Sequence, residues 1–69
     1  MTPQQKIEYQ LSRICESIEF YRDIIKRRIR LIPLLSPADA QSVRFMLSND
    51  KFMIKQLKAE RKALVDSLL

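Results

Sequence analysis

The chain has 69 residues, 13 Lys and Arg against eight Asp and Glu for a formal net charge of +5, and neither His nor Gly. That length allows one small domain near the lower limit for a self-supporting core, and the charge favours an acidic partner such as nucleic acid, an anionic membrane or an acidic protein surface. Lack of His removes the commonest general base and metal ligand, and lack of Gly removes the loops that cradle phosphates.

Cys15 is the only cysteine, so no intramolecular disulfide can form. The opening Met1-Thr2-Pro3-Gln4-Gln5-Lys6 is too polar for a signal peptide, and no apolar run approaches the roughly 20 residues that span a bilayer. A soluble, cytoplasmic protein is the expectation. No carboxylate pair or nucleophile–base pair stands apart from ordinary helix-surface charges, so no catalytic residue, metal ligand or cofactor is expected. Cys15 is expected to be a small buried thiol at the margin of the core.

Taken in order, the chain opens with a helix start. Thr2 suits the N-cap, Pro3 the first helical position, and Gln5 completes a capping box back to Thr2. Ile7, Leu11, Ile14, Ile18, Tyr21, Ile25 and Ile32 follow in steps of four and three, except that position 28 of the series is Arg28 with Ile29 beside it. That seven-residue repeat is the seam of a paired helix and predicts one helix over about 3–32.

A joint at about 33–36 then interrupts the pattern. Pro33 should end the first helix and bias Ile32 away from the α region. Ser36, Pro37 and Asp39 supply an N-cap, a first helical residue and a first-turn carboxylate for a second helix. Between them lie Leu34 and Leu35, and just before them Lys26, Arg27, Arg28 and Arg30, so the elbow is both greasy and basic.

The second helix is predicted over about 37–68. Its main stripe reads Val43, Met46, Leu47, Met53, Ile54, Leu57, Leu64, Val65 and Leu68, with Asp50 and Arg61 inside it. Folding the chain back pairs residues whose numbers sum to about 69, which aligns the two stripes as an antiparallel hairpin. Asp50 then falls near Ile18, Tyr21 and Arg22, and the Tyr21 hydroxyl or the Arg22 guanidinium should satisfy it. Glu8, Glu16 and Glu19 face the lysines of the second helix, while positive charge collects at the elbow.

A hairpin does not absorb all the apolar residues. Phe45, Phe52, Ala59 and Ala63 form a second stripe on the second helix, and Tyr9 and Phe20 one on the first. Aligned exposed aromatics imply an interface, so these six are assigned to a homodimer, a four-helix bundle. Arg27, Arg28, Arg30, Leu31, Leu34 and Arg44 at the elbow are the candidate partner-binding residues. Arg44, Lys51, Lys55, Lys58 and Lys62 share one flank of the second helix over about 27 Å and form an alternative, nucleic-acid-binding row.

The hairpin architecture is similar to the plasmid copy-number regulators that pair two helical hairpins and bind RNA. The 69-residue length, helices over about 2–32 and 36–68, the basic elbow and the surplus stripes also resemble the small quorum-sensing anti-activators of Pseudomonas phages. That resemblance implies a dimeric, non-enzymatic inhibitor acting by occlusion of a LuxR-type transcription factor, and also of a pilus assembly ATPase. No residue role is carried over from it.

Overall fold

The computed structural model describes residues 1–69 and is an all-α helical hairpin without strands. Helix α1 runs Pro3–Leu31 and helix α2 runs Pro37–Leu68, joined by one 3-10 turn at Ile32–Leu34. The Cα extents are 52 × 15 × 13 Å. Two helices of this length lie side by side with nothing covering their outer surfaces.

Both helix starts are closed by their own side chains. The Thr2 hydroxyl accepts from the Gln5 N–H at 3.1 Å, and the Gln5 side-chain oxygen accepts from the Thr2 N–H at 2.9 Å. At α2 the Ser36 hydroxyl accepts from the Asp39 N–H at 3.3 Å, with Pro37 opening the helix. These bonds satisfy amide donors that have no partner within the helix.

The elbow departs from expectation. Ile32 stays in the right-handed α region (φ −50°, ψ −47°) and its N–H still reaches the Arg28 carbonyl, so Pro33 does not expel its neighbour from helical conformation. The chain instead tightens into a 3-10 turn, in whose first residues a proline forfeits no hydrogen bond. It changes direction two residues later, where Leu35 (φ −101°, ψ 156°) and Ser36 (φ −61°, ψ 158°) are extended. Extension at Ser36 is what a following proline imposes.

A heptad seam holds the hairpin. Every α2 residue that is not exposed falls in one series: Ala40, Val43, Leu47, Asp50, Ile54, Leu57, Arg61 and Leu64. Its steps alternate three and four, matching Ile7, Leu11, Ile14, Ile18, Tyr21, Ile25 and Arg28 on α1. Ile32 and Leu35 continue the α1 series and are half-buried, closing the seam at the elbow, whereas Leu34 is 82% exposed. Met46, Met53 and Val65, expected in the main stripe, lie exposed outside it, and Leu68 continues the series but is exposed at the helix end. The apolar sector of α2 is wider than a two-helix seam can cover, so its margins are left in solvent.

Only Ile14, Ile18, Ala40, Leu47 and Asp50 are buried. The accessible surface is 5593 Å². A compact monomer of this mass, 8.2 kDa, would expose about 4,500 Å², so the hairpin carries roughly 1,000 Å² more. Its radius of gyration, 16.0 Å, compares with about 11 Å for a compact domain of this length.

Candidate functional site: the outer faces of the hairpin

The one charged pair inside the seam joins Arg28 to Asp50. This corrects two expectations. Asp50 is met neither by Tyr21 nor by Arg22, and Arg28 is not a free cation of the elbow. Side chains on a helix lean toward its N-terminus. In an antiparallel hairpin Arg28 therefore leans toward the open end and Asp50 toward the elbow, so the two converge from layers that residue numbers alone place apart. The Asp50 side chain is 9% exposed and that of Arg28 30%. No buried side-chain nitrogen or oxygen lacks a partner.

The remaining elbow residues, Arg27, Arg30, Leu31, Leu34 and Arg44, are all exposed. Arg27 donates to Asp23 at 2.9 Å one turn earlier on the same helix, with both side chains in solvent, a pair that contributes little to stability. Arg30 and Arg44 have no ion-pair partner. The elbow thus combines two unpaired guanidinium groups with two exposed leucines.

One edge of the seam is partly apolar. Tyr9, Arg13 and Ile14 of α1 and Glu60, Ala63 and Leu64 of α2 line an open groove of about 510 Å³. The groove shows which sides of the two helices meet. By heptad position the same edge carries Phe20, Ile24 and Leu31 on α1 and Met46 and Met53 on α2. Phe45 and Met46 line a shared depression with Ala38, so the apolar surface continues around to Phe45 and Phe52 on the back of α2. Phe20 is 63% exposed, Phe45 69% and Phe52 58%. Phe20 meets Tyr21 edge-to-face with 5.8 Å between ring centroids. Ala59 is exposed at the same heptad position as Phe45 and Phe52. The six residues assigned to a dimer thus fall on one wrapped surface rather than on two separate stripes.

The other edge is basic. Arg44, Lys51, Lys55, Lys58 and Lys62 are all exposed along it. Glu8, Glu16 and Glu19 do not pair with them: both ion pairs of the hairpin, Arg27–Asp23 and Arg28–Asp50, lie elsewhere. Cys15, expected to be buried, is exposed. It sits one position past the seam residue Ile14, on the edge away from the groove, where two helices leave the second shell uncovered.

No group of three or more Cys, Asp or Glu side chains comes together to hold a metal ion, and no helix is long and apolar enough to cross a membrane. The fold and its faces define a class, a two-helix hairpin with one partly apolar and one basic outer edge. Compared with protein-family models, with curated proteins and with solved structures, the chain gives no match in any of the three.

Proposed function

We propose that this chain is a non-enzymatic protein–protein interaction module that dimerises through its wrapped apolar surface and binds a protein target at the basic elbow. One observation carries the reading: a hairpin with roughly 1,000 Å² of surplus surface presents Tyr9, Phe20, Phe45 and Phe52 to solvent on one continuous side. A standard protein interface covers about 800 Å² on each partner, so one such contact would absorb most of the surplus. Two copies joined there make a four-helix bundle and leave both elbows at its ends.

Arg30, Arg44, Leu31 and Leu34 suit target binding because guanidinium groups offer directed hydrogen bonds and the leucines an apolar anchor. The mechanism would be steric: a rigid bundle occupies a target surface that otherwise contacts DNA or an assembly partner. The resemblance in length and architecture to the phage anti-activators supports a host regulator as the target, a LuxR-type transcription factor first and a pilus assembly ATPase second.

Size-exclusion chromatography with light scattering should give twice the chain mass, and Phe45→Ser with Phe52→Ser should return a monomer. A wild-type monomer at micromolar concentration would remove the dimer. Titration calorimetry against a purified LuxR-type regulator should give a complex that Arg30→Gln with Arg44→Gln weakens at least tenfold. Equal affinity of that variant would move the target site away from the elbow.

A further inference from the structure

We infer that the basic edge of α2 is a second binding site, and that it takes the phosphodiester backbone of a nucleic-acid duplex. Five cations, Arg44, Lys51, Lys55, Lys58 and Lys62, stand exposed within 19 residues of one helix, about 27 Å end to end at 1.5 Å per residue. A duplex strand winds around its axis, so a straight row of this length follows it over only part of a turn and meets a few of its phosphates. Ser48 is the remaining flank residue between Arg44 and Lys62, and no acid interrupts the row.

The row is also uncommitted. Neither ion pair of the hairpin involves any of its members. Glu8 and Glu19 of α1 border it, but Arg22 and Lys26 border it too, so the adjoining helix adds no net negative charge. The site lies on the edge of the seam opposite the groove, with Phe52 and Ala59 on the back of α2 standing between the two.

The chemistry of the row separates a phosphate backbone from an acidic protein. Protein interfaces are depleted of lysine and anchored by aromatic, apolar or arginine side chains. Here four of five cations are lysines, and no aromatic or large apolar residue lies among them. Lysine is a compact charge on a flexible stem that needs no planar partner, which suits evenly spaced phosphates along a strand. The absence of stacking residues on this edge makes the contact independent of base sequence and favours a duplex over a splayed single strand.

The test is fluorescence anisotropy of the full chain with a labelled 20-base-pair duplex of arbitrary sequence, as DNA and as RNA, across a salt series. Five phosphate contacts give a slope of about −4.5 in log affinity against log salt, or about a 500-fold loss between about 50 and 200 mM. Lys51→Gln, Lys55→Gln and Lys58→Gln together should lower the slope to about −1.8, a loss of roughly twelvefold over the same range. Lys6→Gln, an exposed cation outside the row, should leave the slope unchanged. Binding to either duplex with these slopes supports the site, and the tighter duplex identifies the form. Absence of saturable binding at about 50 mM salt would overturn it, as would a triple variant that keeps the wild-type slope. Displacement by polyglutamate as effective as by unlabelled duplex would also overturn it, in favour of an acidic protein. Circular dichroism checks that the triple variant stays helical, and the wild-type slope stands whatever that variant does.

Discussion

The elbow half and the open half of the hairpin are built on the same heptad, yet they are packed differently. On α2 the burial is one-sided: Ala40, Leu47 and Asp50, toward the elbow, are all buried and Asp50 carries the pair with Arg28, whereas the buried residues of α1, Ile14 and Ile18, lie near its middle. Beyond Asp50 no residue of α2 is buried: Ile54, Leu57, Arg61 and Leu64 keep the register but are only half-covered. The elbow turn roofs one end with Ile32 and Leu35, while at the other the helices finish side by side with the groove at Tyr9 and Leu64 open. A regular repeat sets which residues face each other. How dry they become depends on what closes the layer above and beside them, and at the open half no part of the chain does.

Substitutions should expose this asymmetry. Ile18, at 2% exposure the most buried residue, should cost about 3 kcal/mol as Ile18→Ala, against about half that for Leu57→Ala. Equal losses by urea denaturation would erase the distinction between a buried and a half-covered seam position. The charged pair comes next. Asp50→Ala leaves Arg28 uncompensated and should cost about 2 kcal/mol, below the loss for a fully buried pair because the Arg28 head group reaches water. Replacing both, Arg28→Leu with Asp50→Leu, restores an uninterrupted heptad and should be neutral or stabilising. If that double variant changes the mass in light scattering, the pair fixes which partner the seam accepts rather than how stable it is.

At the open half the expected effect reverses in sign. Arg61 occupies a seam position without an ion-pair partner, so Arg61→Leu should stabilise by about 1 kcal/mol. A loss of stability would mean that the guanidinium is already engaged in the native assembly. The smallest effect belongs to Cys15. As an exposed thiol it should react with a chromogenic disulfide reagent as fast in the native chain as in urea, and Cys15→Ser should change stability by less than about 0.5 kcal/mol. Marked protection of the native thiol would place a second molecule over that edge.

Much of this architecture can be read without coordinates because its signals are local. Thr2 with Gln5, Pro3, and Ser36 with Pro37 mark helix starts through side chains that bond within three residues of themselves. The step of four and three along α1 defines the seam for the same reason: which face a residue occupies is a property of helical geometry alone. The outer surfaces were legible only in part. Tyr9 and Phe20 on one helix and Phe45 and Phe52 on the other read as surplus stripes, but their merger into one surface depends on how the helices are rotated about the seam.

What the sequence determined by itself is therefore two capped helices, their inward faces and a positive charge in excess of its partners. The tertiary structure decided the rest. It let Pro33 continue as a 3-10 turn and placed the reversal at Leu35 and Ser36. It drew Arg28 out of the elbow into the seam with Asp50, and set Met46, Met53 and Cys15 outside. Each of those outcomes turns on the lean of a side chain or the width of a contact between two helices. Such quantities belong to the pair and cannot be found in either strand of sequence taken alone.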